Sequence, residues 1–196
     1  MQRPLPVRHR RRFLGLDRDH LRHLDAVAPD LAEVALAAAA RTGGADVFDA
    51  LVTELGRSDD AQLRQRALLA LASVRDPALV GRALDLALDP RLRQNERLVA
   101  LKPMLGSLAT REAAWSWLTA HFDALAGLLP DRYGGQIPAM ISMCDPRRIE
   151  SVRAFFAPRI DKLTGGPRNL ALALEGAQQC AARAAAQRDS VQRYLR

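Results

Sequence analysis

The chain has 196 residues, 48% of them apolar and only 5% aromatic, which is enough to bury one substantial core and suits one domain better than two independent ones. Its formal net charge of +7 looks like a nucleic-acid signal until it is located: Arg3, Arg8, Arg10, Arg11 and Arg12 precede Phe13 with no acid among them, leaving +2 for the rest. A phosphate-tracking groove needs its charge on one folded face, so this distribution argues against nucleic acid, and no run of about 18 uncharged apolar residues is present to span a membrane.

Residues 1–12 read as a basic disordered tail, and 13–196 as a single helical-repeat domain. Arg10-Arg11-Arg12-Phe13-Leu14 has the core of a twin-arginine export signal, but Gly15-Leu16-Asp17-Arg18-Asp19-His20 follows where an apolar stretch is required. The compartment therefore stays open between cytoplasmic and exported. His20 and His23 could share one helix face near Asp17 and Asp19, yet neither a third strong ligand nor HExxH follows, so no metal site is expected.

From residue 29 the helix signals are closely punctuated. Pro29-Asp30 opens a segment with Leu31, Val34, Ala35 and Ala38 on one stripe, closed by Thr42-Gly43-Gly44. The next places Val47, Phe48, Leu51 and Leu55 together and stops at Gly56. Asp59-Asp60 leads into Leu63, Ala67, Ala70, Leu71 and Val74. Asp76-Pro77 then starts the helix of Leu79, Val80, Ala83, Leu84 and Ala87, with Asp as N-cap acceptor and Pro at the first helical position. Asp89-Pro90 and Asp145-Pro146 repeat the device. Leu98 to Leu108 should be kinked or divided by Pro103. Thr110 to Leu129 aligns Trp115, Leu118, Phe122 and Leu125, with Trp117 and His121 on another face, and Pro130 to Ile137 reads as a loop. The helix after Asp145-Pro146 carries Ile149, Val152, Phe155 and Phe156. Gly165-Gly166-Pro167 launches the longest segment, with Leu170, Ala173, Leu174, Ala177, Cys180, Ala181 and Ala184 in a narrow stripe that decays beyond Arg188.

About ten helices on short links, with scarce β-branched alternation, predict an all-α fold. Pairs such as Leu63–Val74 with Ala78–Leu88 resemble HEAT or armadillo hairpins, giving an irregular α-solenoid of antiparallel pairs. Cys144 and Cys180 lack CxxC or His-Cys spacing and read as two free, partly buried thiols. No serine stands in a GxSxG elbow, and Gly43-Gly44, Gly134-Gly135 and Gly165-Gly166 lack a phosphate-loop context, so no catalytic motif is present. Trp115 and Trp117 point to opposite sides of one helix, which covers both in a packed array or leaves Trp117 on a concave surface.

The C-terminal half carries a resemblance. Ala114-Trp115-Ser116-Trp117-Leu118 through His121-Phe122-Asp123-Ala124-Leu125, then Val152-Arg153-Ala154-Phe155-Phe156, then Arg168-Asn169-Leu170-Ala171-Leu172-Ala173-Leu174-Glu175, resembles the HEAT-like C-terminal domain of M1-family zinc aminopeptidases, in the puromycin-sensitive and endoplasmic-reticulum group. Ala39-Ala40-Arg41-Thr42-Gly43, Phe48-Asp49-Ala50-Leu51 and Asp76-Pro77-Ala78-Leu79 extend the likeness over about residues 30 to 185.

The resemblance implies a non-catalytic domain that shapes and encloses a peptide-substrate chamber, with Trp117, Arg168 and Glu175 as chamber-facing or peptide-contacting positions. GxMEN and HExxH are absent, so it implies no cofactor in this chain, the zinc belonging to a separate catalytic domain. The implied partners are that catalytic domain or a peptide. Self-association through the first helices, disrupted by charge at Leu36 or Val47, is a further expectation. The alternative is a free-standing HEAT-like scaffold for a protein or peptide partner, its arginine tail assisting capture of an acidic one.

Overall fold

The computed structural model describes residues 29–195, which are all-α with no strand among them. The arginine tail, the twin-arginine-like run and the His20/His23 pair lie outside the described residues. Two compact units divide the chain, one ending at Pro103 and the other beginning at Met104.

The first unit opens with α1 (Pro29–Thr42) and α2 (Gly44–Arg57). One residue links them because two glycines permit it. A β-carbon on Gly43 would sit 2.2 Å from Val47 Cγ2 and 2.8 Å from the Ala39 carbonyl oxygen, and Gly44 has φ of +66°. Ala32, Leu36, Ala39 and Ala40 face inward from α1, and Phe48, Leu51 and Leu55 from α2. The alanines of α1 allow close approach to α3 (Ala61–Leu71), which packs on both preceding helices. Leu36 is 1% exposed, so it is a core residue and not part of an open end as the sequence suggested. The outward apolar positions of α1 are Leu31 and Val34, 61% and 67% exposed.

Asp60 caps α3 by accepting from the amides of Gln62 (2.7 Å) and Leu63 (3.2 Å), and Asp76 caps α4 (Pro77–Asp85) by accepting from Ala78 at 2.9 Å. Both devices were legible. Asp89-Pro90, identical in sequence, opens no helix. It follows a 3₁₀ turn, Leu86–Leu88, and the Asp89 carboxylate accepts from the backbone and guanidinium of Arg91 (2.6 to 3.1 Å) within a single turn.

What fixes this irregular stretch is a buried ion pair. Arg64 Nε and Nη2 donate to Glu96 Oε1 and Oε2, each at 2.7 Å. Nη1 donates to the Leu55 and Ser58 carbonyls and Nη2 also to that of Arg91. Glu96 additionally accepts from the Arg93 amide at 2.9 Å, while Arg97 Nη1 donates to the Ala87 (2.8 Å) and Asp89 (3.1 Å) carbonyls. One guanidinium thus joins α2, α3 and the 89–96 segment. The expected stripe of Ala67, Ala70 and Leu71 is buried, as is Val74 beyond the helix, while Leu63 is half-buried and Arg64 and Leu68 also face inward. Helix α5 (Arg97–Gly106) runs on through Pro103.

The second unit is built around α6 (Arg111–Gly127), α8 (Pro146–Phe156) and α9 (Gly166–Tyr194). The stretch expected to be a loop contains a one-turn helix, α7 (Asp131–Gly134), and a 3₁₀ turn, Ile137–Met140. Phe122, Phe155 and Phe156 meet edge-on with centroids 5.1 to 5.5 Å apart, and Trp115 joins Phe155 at 5.5 Å. Asp145 caps α8 through the Arg147 amide (3.1 Å).

The start of α9 is seated by backbone contact. A β-carbon on Gly135 would lie 2.0 Å from the Thr164 carbonyl oxygen, Gly165 has φ of +73°, and Asn169 Nδ2 donates to the Gly135 carbonyl at 2.8 Å. Helix α9 packs on α8 and on the 3₁₀ turns at 137–140 and 160–162. It buries Gly166, Leu170, Leu174 and Ala177, after which its side chains are exposed apart from the half-buried Ala181. The helix nonetheless continues past Arg188 to Tyr194.

The cysteines correct the sequence reading. Cys144 and Cys180 form a disulfide with Cα atoms 5.1 Å apart. The pairing was invisible because 36 residues separate the two and their proximity depends on α9 lying along α8.

Candidate functional site

Within the second unit the first turns of α6 and α8 and the segment Ser142–Asp145 enclose a cleft of about 160 Å³. Its walls carry Arg111 and Glu112 from α6, Arg148 from α8, and Ser142, Met143, Cys144 and Asp145 between them. Glu112 is shared. Its Oε2 accepts from Arg148 Nη2, and Oε1 lies 3.6 Å from Arg111 Nε. The Arg148 side chain is only 18% exposed, its guanidinium 5.2 Å from the Trp115 ring centroid, so packing holds its fork where Glu112, 69% exposed, can reach it.

Chemically, this is a charge-paired cleft. Two cations and two carboxylates line the cleft, with Asp145 engaged at the α8 cap and Glu112 between the guanidiniums. Activating Ser142 would need a neighbouring base, but His121, the only histidine among the described residues, stacks on Trp117 with centroids 4.8 Å apart, and its Nδ1 meets the Trp117 carbonyl at 2.9 Å. Among the described residues no group of three or more His, Cys, Asp or Glu is placed to hold a metal.

The three positions singled out from the sequence lie on two helices, Trp117 on α6 and Arg168 and Glu175 on α9. Trp117 is 8% exposed and packed beside His121, on the same face of α6. Arg168 and Glu175 are exposed on α9, seven residues and hence about two turns apart, and Glu175 accepts from Gln179 Nε2 at 3.3 Å. The Arg111, Glu112 and Arg148 cluster was missed. Its signal would have been the first-turn positions of Glu112 and Arg148 on two helices, which meet only once their packing is known.

A family model described as the ERAP1-like C-terminal domain matches residues 9–179. The chain belongs to the ERAP1-like C-terminal domain family. The match takes in Trp117, Arg168, Glu175 and every cleft residue, and ends one residue before Cys180. Among curated proteins the chain is similar to probable aminopeptidase 2 of Sulfurisphaera tokodaii, 28% identical over 104 residues, which is 53% of this chain and 13% of that relative. The match thus spans a small part of that relative's length. An ERAP1-like C-terminal domain of this kind has no helix long and apolar enough to cross a membrane among its described residues.

Proposed function

We propose that this chain is the non-catalytic helical C-terminal domain of an M1-type aminopeptidase, where it shapes and encloses the chamber that receives the peptide substrate. The observation that carries this reading is the family match over 9–179, which includes almost all of the packed helices. The stacking of α3 on both α1 and α2 supports a HEAT-like array, a form that contributes surface while the chemistry is supplied elsewhere. The zinc of such an enzyme has no matching ligands here and belongs to the catalytic part. Arg168 and Glu175, exposed along α9, are the positions of this reading that can meet a peptide, while Trp117 acts by holding α6 in place.

Docking on that catalytic part uses the outer face of α1. Leu31 and Val34 are three residues apart and largely exposed, a pattern that suits burial against a neighbouring helix. The matched 13% of the aminopeptidase relative leaves most of such a molecule to supply that neighbour.

The test is to coexpress the chain with the zinc-bearing part of an M1-type aminopeptidase from the same genome and compare cleavage of aminoacyl reporters with cleavage of peptides of about 8 to 12 residues. The domain should change peptide cleavage and its length dependence while leaving the small reporter within about twofold. Equal effects on both, or none, would reject the chamber role and favour a free-standing scaffold.

A further inference from the structure

The family match and the packed core both stop short of the end of α9. The last buried residue of that helix is Ala177, the match ends at residue 179, and the disulfide is made at Cys180. From Ala182 to Tyr194 every side chain is exposed, so no burial supports that stretch of the helix. The covalent bond therefore stands at the point where burial ceases to hold the helix.

Its surroundings make it accessible to exchange. Cys180 is exposed and Cys144 lines the open cleft, so a soluble thiol can reach the bond without unfolding the unit. Cys144 stands just before the α8 N-terminus, whose backbone amides favour a departing thiolate, in a polar cleft where the carboxylates of Glu112 and Asp145 balance the guanidiniums of Arg111 and Arg148. The core of the unit has its own apolar packing. Val152, Phe156, Leu118 and Leu125 are fully buried.

We propose that Cys144–Cys180 is a thiol-exchangeable staple that sets the state of the last half of α9: oxidised, the helix is held through Cys180; reduced, the segment from Cys180 onward frays while the rest of the unit stays folded. The thiolate of a soluble dithiol reductant attacks Cys180 Sγ, forming a mixed disulfide. The Sγ–Sγ bond breaks, its electron pair leaving on Cys144 Sγ, which takes a proton from solvent. The second thiol of the reductant then attacks its own sulfur in the mixed disulfide and expels the Cys180 thiolate. Two electrons pass to the protein, and the reductant leaves as its cyclic disulfide.

Hydrogen exchange on the full chain, oxidised and then treated with dithiothreitol without denaturant, tests this. Amides of residues 181–194 should exchange about tenfold faster or more in the reduced chain, with those of 149–156 unchanged. Two new thiols should be titratable before any loss of far-ultraviolet helicity beyond that segment. The Cys144→Ser/Cys180→Ser variant should show the fast pattern with or without reductant. If that variant does not fold, the reduced native chain alone decides the matter. Equal exchange in both states, thiols that appear only with denaturant, or free thiols in the air-oxidised chain would each overturn the proposal.

Discussion

At the residue scale the Arg64–Glu96 pair carries the sharpest energetic expectation. Two buried charges joined bidentately leave an uncompensated ion when either is removed, so Arg64→Met or Glu96→Leu alone should cost about 3 to 5 kcal/mol. The double replacement should cost less than the sum, because no charge is then stranded. Denaturant titration of the three variants checks this, and additive losses would show that the two residues do not act as a pair. The pH dependence follows from the same geometry. The guanidinium hydrogen bonds of Arg64 hold the Glu96 carboxyl below its ordinary value, partly opposed by burial, and Arg91 does the same for Asp89. A depressed carboxylate contributes its stability fully above the unfolded value, about 4.3 for Glu, and loses it as pH falls through the folded value. Thermal midpoints should therefore be level near neutrality and decline below about pH 4.5, with the gap between native and Glu96→Gln closing on the same acid limb. A gap that stays constant down to pH 3 would contradict this. None of this was legible beforehand, because an arginine beside Leu63 in an apolar stripe reads as a solvated flank until a carboxylate 32 residues away is brought against it.

Caps and tight turns decide the elements. Replacing Asp145 with Ala removes the acceptor for the Arg147 amide and should lower stability by about 1 kcal/mol. Gly135→Ala should cost more, about 2 to 3 kcal/mol, since the added methyl meets backbone at Thr164 and not a side chain able to turn aside. Unfolding midpoints for the two variants check the order, and Gly135→Ala at or below the cap variant would mean that the 134–138 segment yields. Helix starts were legible where Asp-Pro met an apolar stripe, as at Asp76 and Asp145. The dipeptide at Asp89 misled because Arg91 takes both carboxylate oxygens and the 3₁₀ turn before it already uses the local carbonyls. The end of α9 also escaped, since the polar run beyond Arg188 lacks the continuous apolar stripe that marks packing.

At the scale of the whole molecule, the all-α class followed from composition and periodicity, and the family from the order of motifs along the second half. The proposed function follows only by way of the family, because a role in shaping a surface requires no motif whose residues must stand at fixed spacing. The cleft and the staple both needed the fold, as each joins residues from separate elements. The central claim is that this domain docks on a zinc-bearing aminopeptidase part, and sedimentation velocity of the chain with that part measures it directly. The account predicts a one-to-one complex at micromolar concentrations that is weakened at least tenfold by Leu31→Glu/Val34→Glu, in a variant whose helicity is unchanged. A folded chain that sediments alone beside the catalytic part, or that pairs with a second copy of itself through Leu31 and Val34 instead, would contradict it.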